Sequence, residues 1–297
     1  MSREAILHAG LLVPAGASGI YARSAGFEAV VDALTRLILA EAAGDGAERL
    51  RFPPVMSQAH LERNGYFSVF PHLAGCVHCF MGDEADHRRL VGKLVCEEDT
   101  ASEFSPSGVA LVPAACYPVY PAIAARGPLP KTGLLIEVAS YCFRHEPSDD
   151  LARQQSFRMQ EFVRIGPADA VAGFRRMWLD RAVSLCSRLD LPARLEAAND
   201  PFFGSGGQHL AEQQRESAAK IELILAAGPD GEDRSCFSCN AHGEHFAAIW
   251  GLRLRGGRLA HTACIGFGLE RFALALFTRH GTQHTAWPGA VREALGL

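Results

Sequence analysis

The chain predicts an α+β domain, an antiparallel sheet flanked by helices, from three observations. Residues 134–144 and 156–165 both read as strands and are joined by a polar loop, which makes a long antiparallel hairpin. An apolar stripe beginning at Phe27 marks an amphipathic helix. Near the C-terminus a strand-like run, 262–267, passes directly into a helix starting close to Leu269. Helices mixed with antiparallel strands in this way do not follow the βαβα alternation of a doubly wound sheet.

Each element has its own local reason. Val30, Val31, Leu34, Leu37 and Ile38 follow Phe27 at steps of three and four, so one helix face is apolar. The turn Gly44-Asp45-Gly46 ends that helix, and residues 49–55 form a short strand closed by Pro53 and Pro54, which cannot donate to a ladder. In the hairpin, the loop 145–155 carries the turn sequence Pro147-Ser148-Asp149-Asp150. Asp169 is predicted to cap a helix with Val171, Phe174, Trp178 and Leu185 on one side and Arg175, Arg176 and Arg181 elsewhere, ended before Pro192. A glycine-rich loop at 203–207, a polar helix and the apolar run 221–225 follow, and a further strand is predicted near 252–254.

Length and composition narrow the class. A chain of 297 residues that is 48% hydrophobic can bury a large core. Its net charge of −4 lacks the basic excess that non-specific nucleic-acid binding requires. The opening MSREAILHAG has no signal-peptide pattern, and no apolar run approaches the ~18–20 residues of a membrane span. A cytoplasmic protein is expected. Nine cysteines, an odd number without an export signal, point to reduced thiols and a metal more than to disulfides.

Three motifs carry the chemistry: Phe143-Arg144-His145-Glu146, then Arg158-Met159-Gln160-Glu161-Phe162, and finally Gly266-Phe267-Gly268-Leu269-Glu270-Arg271. In that order they resemble motifs 2 and 3 of class II aminoacyl-tRNA synthetases. The helix, strand and proline at 27–55 resemble motif 1, which forms the dimer interface in that superfamily. A Rossmann reading of Gly266-Phe267-Gly268 fails because no third glycine follows at the required spacing. The resemblance implies a class II synthetase-like catalytic domain filling residues 1–297, with no tRNA-binding domain, and adenylation of an amino acid by ATP with magnesium. An amino acid carboxylate is already ionised at neutral pH, so its attack on the α-phosphorus needs positioning and compensation of charge instead of a general base. Arginine suits that task through its planar, permanently charged fork. By resemblance Arg144 takes the α-phosphate, Glu146 holds the adenine amino group, Phe162 stacks on adenine and Arg271 takes the γ-phosphate. Arg153 and Gln154 in the motif 2 loop are further nucleotide contacts, Ser235, Cys236, Phe237 and Ser238 line the ATP site, and Glu232 or Asp233 is a candidate for holding magnesium.

Two local clusters have metal-like spacing: Cys76 and Cys79 with His72 and His78, and Cys236 and Cys239 with His242 and His245. Each resembles half of a zinc ribbon. The family resemblance points elsewhere, to Cys116, Glu161 and Cys264, the zinc triad of the atypical seryl-tRNA synthetases of methanogenic archaea. Three protein ligands leave a fourth position open for the substrate's amino group.

Over its whole length, from Gly10-Leu11-Leu12-Val13-Pro14 through Cys116-Tyr117-Pro118 to Cys264 and Arg271, the chain is similar to the short bacterial amino acid:[carrier protein] ligases. This similarity implies activation of a small amino acid, glycine or alanine, and transfer to the phosphopantetheine thiol of a holo carrier protein. It also implies a homodimer, with no tRNA and no membrane as partner. Arg175, Arg176 and Arg181 are candidates for a basic patch facing the carrier protein. A tRNA-charging enzyme and a non-catalytic synthetase-like regulator are the alternatives, and the second is expected to lose the motif arginines and metal ligands that this chain retains.

Overall fold

The structure, a computed structural model, describes residues 2–297. The N-terminal part runs α1 (Arg3–His8), the hairpin β1 (Leu12–Pro14) and β2 (Tyr21–Arg23), α2 (Ala25–Glu41) and β3 (Glu48–Arg51). Ser24 caps α2 by accepting from the Phe27 amide at 3.3 Å, and the predicted stripe of Phe27, Val30, Val31, Leu34 and Ile38 is buried. Pro53 and Pro54 separate β3 from β4 (Val55–Ser57), so the predicted strand 49–55 is two short strands in different sheets.

An excursion follows: α3 (Gln58–Arg63), α4 (Tyr66–Val69), β5 (Cys76–Cys79), α5 (Glu84–Val95), β6 (Ser105–Leu111) and α6 (Val119–Ala124). Strands β4, β6 and β5 make a small antiparallel sheet. Helix α5 starts with a capping box between Asp83 and Asp86 but buries none of its residues.

The long hairpin is β7 (Leu134–Phe143) with β8 (Ser156–Gly166), paired over the whole of β7. After it come α7 (Ala168–Arg188), β9 (Arg194–Ala198), α8 (Ser205–Glu216), β10 (Lys220–Ala226), β11 (Asp233–Gly243), α9 (His245–Trp250), β12 (His261–Gly268), α10 (Leu269–His280) and α11 (Gly289–Leu295). Helix α7 begins earlier than predicted: Pro167 is its N-cap and Asp169 lies in the first turn, where a carboxylate still favours the helix dipole. No strand forms at 252–254. Leu254 and Arg253 make only isolated bridges, to Leu129 and Leu259.

The main sheet has seven strands in the order β3-β7-β8-β12-β11-β10-β9, antiparallel except for β3 against β7. Its two faces are different environments because side chains alternate along each strand. One face packs Phe162, Phe237, Ile265 and Phe267 against α2, α7 and α10. The opposite face carries Ile136, Val138, Val163 and Ile165 beside α6 and α9, and further along the strands it opens as a cleft. Arg158 ties the layers together: its guanidinium makes two hydrogen bonds to Glu28 on α2 (2.6 and 2.9 Å) and one to Glu270 on α10 (2.7 Å), and its backbone amide adds a second to Glu270 (2.7 Å). Among the described residues no helix is long and apolar enough to cross a membrane.

Phe162 is fully buried and stacks on Trp178 with ring centroids 4.7 Å apart. Truncating it leaves a void that the rigid sheet cannot close. Phe162→Ala is therefore expected to lower unfolding free energy by about 3–5 kcal/mol, read from urea denaturation; a loss under 1 kcal/mol would contradict this packing.

Candidate active site

The cleft has a volume of about 550 Å³. Strand alternation decides what lines it. From β8 it receives Phe157, Met159 and Glu161, from β12 Cys264, Gly266 and Gly268, and from β11 Ser238, Asn240 and His242. Gly266 pairs with Glu161, and a Cβ there would lie 3.2 Å from Glu161 Cγ and 3.0 Å from Met159 Cε. Glycine keeps the floor open beside the carboxylate.

Cys116, in the turn before α6, meets Glu161 and Cys264 at this floor. Their ligand atoms all lie within 4.8 Å of one another and all three residues are buried. The Ala115 amide donates to Glu161 Oε1 at 2.7 Å, which fixes the carboxylate. Burial and then the neighbouring Cys264 charge push the Glu161 carboxyl up to about 8. Cys116 and Cys264 share a hydrogen bond that pushes Cys264 down and Cys116 up. Around Cys264 the Asn240 amide lies at 3.7 Å and His242 Nε2 at 3.6 Å from the sulfur. Three acidic groups crowded out of water form a donor set that a cation would satisfy, and two thiols with one carboxylate suit zinc.

The two motif arginines reach the cleft by different routes. Arg144 follows β7, donates from Nε to the Pro113 carbonyl at 3.1 Å, and lies over the Phe157 ring, 5.4 Å from its centroid. Arg271, in the first turn of α10, donates to the Ala152 carbonyl at 2.6 Å and to the Ser235 carbonyl at 3.1 Å. Neutral carbonyls orient both groups, and among the described residues neither makes an ion pair within 4.0 Å. Glu146 also lines the cleft, near the aromatic wall formed by Tyr66, Phe70, Tyr117 and Phe157. Tyr66 is buried there with its hydroxyl unpartnered, and burial pushes it up to about 12.

A third wall comes from the β9–α8 connection. Asp200 accepts from Lys220 Nζ at 2.5 Å, and Lys220 also lies 3.0 Å from Glu222. Phe202 stacks on Phe70 at 5.2 Å, and the Phe203 amide donates to the Val69 carbonyl at 2.9 Å. The chain from 200 to 203 thus bridges the cleft's two sides.

Several predicted positions stand elsewhere. Phe162 faces the helical core, since its strand neighbour Glu161 faces the cleft; it is not placed to stack on a nucleotide. Phe157, four residues before Glu161 and so on the same face, is the aromatic ring there. Arg153 is half exposed, 3.9 Å from Glu146 and 3.8 Å from Asp150, outside the cleft lining. Gln154 borders the cleft, but its amide is engaged with Arg23 and the Leu151 carbonyl. Ser235, Cys236, Phe237 and Ser238 all border it, although a bulge in the β10–β11 pairing accompanies burial of Cys236 and Phe237 in the helical core.

Glu232 and Asp233 lie outside the cleft lining, held by Arg234 at 2.6 Å and Arg194 at 2.8 Å. Cys76 and Cys79 are exposed on β5 and, among the described residues, join no metal-ligand cluster. Cys236 and Cys239 are separately buried. Of the proposed basic patch, Arg181 is neutralised by Asp45, and Arg175 is held part-buried against the Ala218 and Ala219 carbonyls. Only Arg176 remains exposed.

No family model matches the sequence. A relative named "Amino acid--[acyl-carrier-protein] ligase 1" from Bradyrhizobium diazoefficiens is 46% identical over 95% of this chain and 86% of its own length. Among solved structures, M. kandleri SerRS in complex with A. aeolicus tRNASec superposes with a TM-score of 0.84 at 22% identity, covering 99% of this chain and 59% of that one. Seryl-tRNA synthetase from Pyrococcus horikoshii complexed with ATP gives 0.72 at 17% identity, covering 99% and 62%. These two share the class II synthetase fold with this chain. Identity sustained over nearly the full chain shows more: the protein belongs to the amino acid:[acyl-carrier-protein] ligase family.

Proposed function

We propose that the protein activates glycine or alanine with ATP and transfers it to the phosphopantetheine thiol of a carrier protein. The observation that carries this reading is the pair of guanidinium groups, Arg144 and Arg271, turned without carboxylate partners into a cleft whose floor is a buried Cys-Glu-Cys donor set. A polyanion satisfies the first feature and an amine-binding metal the second. The 46% identity to an amino acid:[acyl-carrier-protein] ligase supplies the acceptor.

In the first half-reaction the amino acid carboxylate oxygen attacks the α-phosphorus of ATP and pyrophosphate leaves. Arg144, beside the floor, would compensate charge at the α-phosphate, and Arg271 would hold the outer phosphates, with magnesium accompanying the nucleotide. Phe157 offers its face to the adenine ring and Glu146 accepts from the adenine amino group. In the second half-reaction the thiol sulfur attacks the activated carbonyl carbon and AMP leaves. Cys116, Glu161 and Cys264 would hold zinc, which when bound supplies a Lewis-acidic position for the substrate's neutral amine. Because that grip is common to all amino acids, selection rests on side-chain room near Gly266, where one methyl is worth about 1–3 kcal/mol.

The deciding experiment incubates the protein, ATP and labelled glycine, alanine or serine with holo carrier protein, apo carrier protein or total tRNA. A labelled thioester on the holo form alone is expected. Charging of tRNA without any transfer to holo carrier protein would reverse the assignment. In ATP–pyrophosphate exchange, Arg144→Ala should lower kcat/KM by about 10²-fold or more, and Phe157→Ala should chiefly raise the KM for ATP. Phe162→Ala, assayed where it remains folded, should leave that KM unchanged. Metal analysis should find one zinc per wild-type chain and loss of it in Cys116→Ser and Cys264→Ser, but not in Cys76→Ser. Zinc lost with Cys76 and retained without Cys116 would refute the floor site.

A further inference from the structure

Outside the three predicted ligands, the cleft floor contains a polar chain that begins in the core and ends on one sulfur. His242 lies on β11 with its ring edge against Phe246 (centroids 4.9 Å, 82°) and against Tyr120 (6.2 Å, 90°). Tyr120 and Phe246 are themselves stacked at 4.1 Å. These contacts fix the plane of the imidazole.

Its two nitrogens then face different chemistry. Nε2 is 3.6 Å from Cys264 Sγ. Nδ1 is 3.2 Å from Thr262 Oγ1 and 3.4 Å from the Tyr120 hydroxyl. Both residues are fully buried. A metal-bound thiolate can only accept, so a hydrogen bond to it needs the ring proton on Nε2. That tautomer leaves Nδ1 to accept from the Thr262 or Tyr120 hydroxyl. Asn240, whose Cα is paired with that of Cys264 across the two strands, brings an amide N–H to the same sulfur at 3.7 Å. No equivalent pair of N–H groups approaches Cys116 among the described residues.

We propose that His242 and Asn240 are positioning residues that aim the Cys264 sulfur at the metal and, by hydrogen bonding to it, draw off part of the charge it would bring as a ligand. The proposal rests on the zinc reading above. Its consequence is an asymmetric donor set, with Cys264 the weaker electron donor of the two sulfurs. A metal held by it stays electron-poor and keeps its affinity for an amine, whereas two unmodified thiolates would quench that acidity.

Cobalt(II)-loaded protein tests this without an activity assay, through its sulfur-to-cobalt charge-transfer band. His242→Leu removes the N–H donor and should move the band to longer wavelength. His242→Gln restores an N–H at the same reach and should return it towards wild type. Asn240→Leu should shift the band in the same direction as His242→Leu. Ring ¹⁵N NMR of the zinc-loaded protein should find the His242 proton on Nε2. A His242→Leu band superimposable on wild type, or a proton on Nδ1 alone, overturns the proposal while leaving the metal site standing. Failure of wild-type protein to take up either metal overturns both.

Discussion

The cleft depends on the two-residue period of the central sheet. Glu161 can face the cleft only because Phe162 faces the helices, and the same alternation aligns Cys264 and Gly266 beside it and Asn240 and His242 on the next strand. A one-residue slip of β12 against β8 would exchange the two faces, placing Ile265 and Phe267 at the floor and Cys264 in the helical core. Register here is therefore chemistry as well as stability. The helical face specifies it, because Phe237, Ile265 and Phe267 must all meet the α7 and α10 side together.

Charge is distributed by a consistent rule. Arginines that tie elements together are matched with carboxylates: Arg158 with Glu28 and Glu270 between layers, and Arg49 and Arg51 with Glu137 between neighbouring strands. Arg144 and Arg271 are instead aimed by neutral carbonyls, which fix direction without consuming charge. Folding accepts some electrostatic cost in placing two such cations in one cavity with acidic donors nearby, and a bound polyanion relieves it.

Much of this was legible in sequence where the signal was local. The α2 stripe, the β7–β8 hairpin and the β12-to-α10 passage each repeat a period or carry a turn sequence within one short segment. Residues brought together by pairing were harder. Cys116, Glu161 and Cys264 have no local spacing and were reached through family resemblance, whereas the closely spaced cysteines at 76 and 79 stand exposed without forming a cluster. The Phe162 error came from matching a motif without applying alternation; counting in twos from Glu161 reaches Met159 and Phe157. Asp200 and Lys220 gave no sequence signal, since their meeting depends on the register that pairs Lys220 of β10 with Ala198 of β9, two residues before Asp200.

The loop after β9 also governs time. Phe202 on Phe70 and Phe203 on the Val69 carbonyl stitch the loop to the α4 side, and Asp200 on Lys220 roots it at the sheet's far edge. An aromatic stack contributes about 0.5–1.5 kcal/mol, and the part-buried Asp200–Lys220 pair adds to it. A mixed anhydride such as an acyl adenylate is open to hydrolysis as well as to attack by a thiol. Contacts that limit water's access lengthen the life of such an intermediate, so these few side chains would make the cleft a shelter as well as a workbench.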